Sequence, residues 1–287
     1  MPSPHDITPF TLDVPTGELD DLRSRLRATR WPEAETVDDS SQGARLEQMK
    51  TLVEHWADGY DWRRTEARLN EWGQLTTVID GLEIHFLHVR SSVPGARAVL
   101  LTHGWPGSVL EFRHAIGPLT EPVGHGGSAA DAYDVVIPSV PGFGFSGRPQ
   151  STGWTIERVA RAWYTMMQDV AGTHDEHGHL GGLLPLDEII DTLMLYWLPR
   201  TGASAARIYW ESTRAGWSSN GTADSPVTVP AGVTIMPGSH SRRSRRWAER
   251  RYLDLVHFSE ASRGGHFAFI EQPERLVEDV RATFRLL

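Results

Sequence analysis

The sequence predicts an α/β fold joined to a helical N-terminal segment. Two short unbroken apolar runs, Ala98–Leu101 and Tyr133–Ile137, read as strands buried on both faces, as in a parallel sheet. Helical stretches follow at Ser108–Pro118 and Ile156–Val170. Strand alternating with helix implies crossover connections. Residues 1–74 read differently. Their apolar residues recur at helical spacing: Leu19, Leu22 and Leu26, then Leu46, Met49, Leu52–Val53 and Trp56, then Trp62, Leu69 and Trp72.

Each element has a local reason. Pro32 should stop the first helix after Trp31, and residues 38–43 carry loop formers. Asp80-Gly81 suits a tight hairpin between Leu75–Ile79 and Leu82–Val89. Thr155 can cap the Ile156–Val170 helix, with Glu157 in its first turn. Residues 171–185 mix turn formers and charges without periodicity and read as a loop. Helices are expected over Asp187–Leu198 and Ala203–Ser212, and a loop over Gly221–Pro230. Val233–Met236 and Leu253–Phe258 read as two late buried strands, and Glu274–Phe284 as a closing amphipathic helix. Repeats and low-complexity tracts are lacking.

Composition narrows the function. A chain of 287 residues can bury one sizeable core, or two small ones. It has no cysteine, which excludes disulfides, thiolate metal sites and a cysteine nucleophile. A net charge of -9 and a pI of about 5.8 argue against nucleic acid or anionic membrane as partner. Mean hydropathy is -0.36, and no apolar run reaches the ~20 residues of a membrane span. The N-terminus lacks the basic start and apolar core of a signal peptide, so a cytoplasmic protein is expected.

Three glycine-bearing motifs carry candidate chemistry. Leu100-Leu-Thr-His-Gly-Trp-Pro-Gly107 leaves a strand and turns sharply, so its amides can point into a pocket. Val140-Pro-Gly-Phe-Gly-Phe-Ser-Gly147 follows the next strand. Ser262-Arg-Gly-Gly-His-Phe267 places a histidine after the last strand, where a general base belongs when the histidine comes last in chain order. All three are expected at the C-terminal strand ends of one parallel sheet, where open α/β sheets bind ligands. Taken singly, a His-Gly turn or a glycine-rich loop is more often structural.

In these motifs the chain resembles the microsomal-type epoxide hydrolases, α/β-hydrolases with a helical N-terminal extension. The matching residues are Trp31-Pro-Glu, His103-Gly-Trp-Pro-Gly-Ser, Pro141-Gly-Phe-Gly-Phe-Ser, Leu195-Tyr-Trp-Leu, Ala206-Arg-Ile-Tyr-Trp-Glu211, Arg263-Gly-Gly-His-Phe and Glu271-Gln-Pro-Glu. They run nearly the whole chain in family order. The resemblance implies an N-terminal segment over 1–74, the first half of the hydrolase core over 75–170, a reduced cap over 171–220 and the end of the core over 221–287. It implies conversion of apolar epoxides, including those of aromatic hydrocarbons and other xenobiotics, to vicinal diols without a cofactor. An aspartate attacks carbon, cap tyrosines protonate the leaving oxygen, and an acid-oriented histidine activates water to hydrolyse the ester. Tyr209 matches one proton-donating tyrosine and His266 the water-activating histidine. His103, Gly104, Trp105 and Pro106 match the oxyanion loop, with the Trp105 amide as donor.

The resemblance also implies two gaps. The family's Gly-Gly-Asp-Trp-Gly nucleophile elbow, with its strand, the next strand and the first part of the cap, has no counterpart. Met167-Gln-Asp-Val-Ala runs almost directly into Pro185-Leu-Asp-Glu-Ile-Ile. The strand beside Ala98–Leu101 is therefore missing from the sheet, which invites self-association. Ser239, in Met236-Pro-Gly-Ser-His240, stands where the family places the acid that orients histidine. Serine can accept from imidazole but cannot balance imidazolium with a charge. Asp169, Asp175 and Glu176 lie near the junction, but none sits in a Gly-x-Asp-x-Gly context. The expectation is an epoxide hydrolase family protein of impaired or no activity. The alternatives are a non-catalytic binding protein or a deletion product. His174, His177 and His179 suit a divalent metal by type, but a glycine-rich loop presets no ligand geometry, and no metal is expected. The basic run 241–251 reads as an exposed helix with arginine stems packed on the fold, an anion patch being the alternative.

Overall fold

The structure is a computed structural model and describes residues 7–38, 41–170, 186–215, 226–239 and 244–286. It opens with a two-residue strand, β1 (Thr8–Pro9), then α1 (Thr16–Arg27), α2 (Leu46–Glu54) and α3 (Trp62–Glu71). α1 buries Leu19 and Leu22 but unwinds at Ala28, short of the stop expected at Pro32. Asp61 caps α3 by accepting from the Arg63 amide, and Trp62 and Leu69 turn inward.

β2 (Gln74–Ile79) and β3 (Leu82–Val89) form the expected hairpin. Asp80 and Gly81 both take positive φ, 52° and 76°, which lets the turn follow the strands' own twist. β4 (Arg97–Leu100) and β5 (Tyr133–Pro138) pair in parallel, giving a five-stranded sheet of order β1-β2-β3-β5-β4. Alternation along β5 fills both faces. Val135 and Ile137 join one core with Leu69, Leu87 and Phe112, while Val136 joins the other with Ile84, Phe86 and Trp163.

The continuous helix expected over Ser108–Pro118 is instead a 3₁₀ turn, Val109–Phe112, followed by a short α4 (Ile116–Thr120). Ser108 accepts from the Leu110 amide, and Arg113 turns its Nε back on the Leu110 carbonyl, 3.0 Å away. These bonds tighten the turn, and Val109, Leu110 and Phe112 are all buried by it. α5 (Ile156–Val170) starts where expected, with Thr155 Oγ1 accepting from the Arg158 amide at 3.4 Å. The expected loop 171–185 lies outside the described residues. Beyond it come α6 (Leu186–Trp197) and α7 (Gly202–Arg214).

The last part departs from expectation. β6 (Ala231–Ile235) and β7 (Leu255–Glu260) pair in parallel, but as a separate two-stranded sheet. The three motif loops therefore do not share one sheet. Among the described residues β4 pairs only with β5, and β6 only with β7. β6 and β7 are half-buried, not buried. Among the described residues each has one strand neighbour, and α10 (Pro273–Phe284), which follows α8 (Arg245–Arg251) and α9 (Ala268–Glu271), packs on them through polar groups. Asp279 of α10 accepts from Thr234 Oγ1 at 3.1 Å and pairs with His257 Nε2 at 2.8 Å. α8 carries the described part of the basic run on an exposed surface, with Arg250 over the Trp247 ring.

One buried cluster joins the N-terminal segment to the rest. Asp191 of α6 accepts from Tyr60 Oη at 2.6 Å, from Thr65 Oγ1, and from Arg113 Nη1, and all four residues are buried. Truncating one partner of a buried ion pair strands the other's charge and typically costs about 3–5 kcal/mol. Asp191→Ala should lose that much in urea unfolding, whereas Arg64→Ala, an exposed partner of Asp187, should change stability by less than about 1 kcal/mol.

Candidate active site

The loop Thr102–Gly107 leaves the C-terminal end of β4 and is held from several sides. His103 is buried, and its Nε2 accepts from the Val140 amide at 3.2 Å. Its Nδ1 then carries the proton and donates to the Gly104 carbonyl, 3.1 Å away. Burial holds its pKa down to about 4, so the ring stays neutral and ties the β4 loop to the β5 loop. The Trp105–Pro106 peptide is cis.

The two backbone groups of Trp105 are both engaged. Its amide donates to Tyr209 Oη at 3.2 Å, and its carbonyl accepts from His266 Nε2 at 3.1 Å. The Trp105 and Tyr209 rings meet edge to face with centroids 6.0 Å apart. The structure thus brings together His103, Gly104, Trp105, Pro106, Tyr209 and His266, which lie far apart in sequence. It also places the Pro237–Ser239 turn beside the His266 loop, where the Gly238 amide donates to the Gly264 carbonyl at 2.8 Å. The Ser239 amide closes that turn on Met236, and the Ser239 hydroxyl has no hydrogen-bond partner among the described residues. Asp169 falls in the last turn of α5, and its side chain is not described. Asp175, Glu176, His174, His177 and His179 lie outside the described residues.

Beside the loop opens an apolar pocket of about 230 Å³. Thr102–Trp105, Val140 and Phe143 form its strand-end wall, Val159 and Trp163 of α5 its side, and Ile208 and Tyr209 of α7 its cover. Trp163 Nε1 donates to Thr102 Oγ1 at 3.1 Å, which fixes the indole against the end of β4. The pocket's polar groups are the Tyr209 hydroxyl, Thr102, His103 and backbone, and none of its lining residues is a carboxylate.

Two further residues meet this loop without having been singled out from the sequence. Tyr196, inside Leu195-Tyr-Trp-Leu, donates through its hydroxyl to the Gly107 carbonyl at 2.8 Å, and burial raises its pKa. Glu111 packs its carboxyl against Gly107, in the space that a side chain at 107 would take. The only available signal was an acid in an otherwise apolar turn, Val109-Leu-Glu-Phe112.

Comparison with known proteins decides the family. Residues 7–112 match a family profile described as the epoxide hydrolase N terminus. A Stigmatella aurantiaca protein assigned to the epoxide hydrolases is 37% identical, covering 98% of this chain and 85% of that protein. The chain belongs to the epoxide hydrolases. Pig epoxide hydrolase 1 is 25% identical, over 98% of this chain and 89% of the pig protein. The alignment with the Stigmatella protein spans 380 positions against the 287 residues present here, so this epoxide hydrolase aligns only with sizeable gaps. The fold is that of the α/β-hydrolases. The silkworm juvenile hormone epoxide hydrolase superposes with a TM-score of 0.83 at 23% identity, covering 98% of this chain and 94% of that one. The Aspergillus niger epoxide hydrolase superposes at 0.81, with 23% identity and coverage of 98% and 96%.

His103 gives the site a pH signature. Its ring titrates at 6.5 when unfolded and at about 4 when folded, so folding favours the neutral form. That contribution is full above pH 6.5 and is lost as the pH falls through the folded value, at up to about 1.4 kcal/mol per pH unit. His85, buried between Ser139 and Gln74 and held down to about 3, has the same sign. Urea midpoints should therefore fall below pH 6.5, and His103→Asn should flatten part of that fall.

Proposed function

We propose that this epoxide hydrolase retains a binding site for small apolar epoxides, such as those of aromatic hydrocarbons and other xenobiotics, with ring opening impaired or lost. The observation that carries the reading is the pocket's chemistry. It offers the Tyr209 hydroxyl to an epoxide oxygen and apolar walls to its substituents, but among the described residues no carboxylate to attack carbon. In this reading Tyr209 is the proton donor and His266 the water-activating base. The Trp105 amide is the oxyanion donor, and Ser239 fills the place of the orienting acid.

Two bonds and a missing charge oppose turnover as the site stands. His266 Nε2 spends its proton on the Trp105 carbonyl, so that nitrogen offers no lone pair to water. The Trp105 amide is taken by Tyr209. Ser239 supplies no charge for an imidazolium; in serine proteases a neutral residue at the triad acid costs about 10⁴-fold. Without a positioned nucleophile the site also forgoes an effective-molarity advantage of roughly 7–11 kcal/mol. No cofactor enters this scheme. No described helix is long and apolar enough to cross a membrane, and we read the protein as cytoplasmic. The single-sided pairing of β4 and β6 favours self-association, since open strand edges recruit other chains.

Two measurements test this. Diol formation from styrene oxide by the purified chain should stay near the buffer rate, with His266→Ala and Tyr209→Phe unchanged from it. A rate well above buffer that falls in both variants would overturn the loss of ring opening. On size exclusion with light scattering the chain should run as assemblies larger than 32 kDa, and a monodisperse monomer would refute the open-edge reading.

A further inference from the structure

We propose that Glu111 is a positioning residue for the Trp105–Gly107 loop, and that it holds the loop in its binding arrangement by packing its carboxyl on Gly107, whose carbonyl Tyr196 also holds. The inference deepens the binding function proposed above and rests on it for its ligand, though not for its effect on the loop.

The geometry comes first. The Gly104–Gly107 turn closes on itself through the Gly107 amide and the Gly104 carbonyl, 2.9 Å apart. The Gly107 carbonyl takes the Tyr196 hydroxyl. The space where a side chain at 107 would stand is filled by Glu111 Oε2 and the Gly104 carbonyl. The carboxyl thus packs on the turn whose Trp105 groups meet Tyr209 and His266. The turn bearing Glu111 is itself fixed, since Phe112 packs edge to face on Phe269 of α9 at 5.0 Å.

The chemistry gives the loop two states. The Glu111 carboxyl has no hydrogen-bond partner among the described residues. Burial alone pushes its pKa up to about 7. Around it, Asp191 and Glu188 on α6 are paired with Arg113 and His114 beside Glu111 on its own segment. Tyr196 on α6 and Tyr209 on α7 are hydroxyls, and Glu271 on α9 accepts from the Phe267 amide at 2.9 Å. His266 reaches the same loop through Trp105 and titrates as well, so it must be separated from Glu111 by experiment. Below pH 7 the acid is neutral and packs on the loop. Above it, the carboxylate packed on the Gly104–Gly107 turn is only partly exposed to water, and the loop should shift to hydrate it further.

The test uses the ligand-free chain first. Backbone amide resonances of Trp105 and Gly107 are followed by NMR from about pH 5 to about pH 9. A transition with a midpoint near 7 is expected in the natural chain. It should persist in His266→Asn and vanish in Glu111→Gln, which keeps size and polarity without the titration. Persistence in Glu111→Gln, or loss in His266→Asn, would overturn the proposal. Styrene oxide binding is then titrated across the same range. Affinity should fall about fivefold through the transition, the low end of ordinary coupling between sites, and stay level in Glu111→Gln. Equal pH dependence in both chains would also refute it. A lack of styrene oxide binding at every pH would count against the binding function alone, because the amide transition still decides the role of Glu111.

Discussion

Asp191 stands where three parts of the chain meet, and their arrangement depends on it. Tyr60 and Thr65 come from the helical N-terminal segment, Arg113 from the turn after the Thr102–Gly107 loop, and Asp191 from α6. A guanidinium this deeply buried has to find a carboxylate, and a buried carboxylate needs donors for both oxygens. Tyr60 and Thr65 share one oxygen and Arg113 takes the other. Around this cluster lie further ties of the same kind, His55 and Arg64 to Asp187, and His114 to Glu188. Together they place α6, and hence Tyr196, over the loop that carries Trp105.

From that placement the character of the site follows. The loop is held by neutral groups: a histidine kept unprotonated by burial, a tyrosine hydroxyl and an acid that burial drives toward its neutral form. Both backbone groups of Trp105 are engaged there, the amide with the Tyr209 hydroxyl and the carbonyl with His266. Among the described residues β4 and β6 are each paired on one side only.

Local patterns in the sequence determined much of this. Apolar runs, the Asp80-Gly81 turn, the Thr155 cap and the helical spacing of leucines and tryptophans each specify an element through neighbours in the chain. Those elements formed within a few residues of where they were expected. The glycine motifs around His103 and His266 form turns after β4 and β7, since such turns depend on backbone conformation that the local sequence encodes. The single helix expected over Ser108–Pro118 failed because Ser108 and Arg113 bond the backbone of the turn and tighten it, a choice set by burial on several sides.

Only the tertiary structure decided the rest. Whether the late strands join the main sheet depends on strands brought from elsewhere in the chain, and spacing carries no record of missing partners. Glu111 and Tyr196 read as an ordinary acid and an ordinary core aromatic in sequence. They gain their meaning from Gly107, which both of them touch. The state of His266 was equally hidden, because the carbonyl that holds its proton belongs to Trp105, a residue far from it in sequence that folding alone brings to 3.1 Å. Proton positions and ligand pockets follow from distances across the fold, and a linear pattern fixes only distances along the chain.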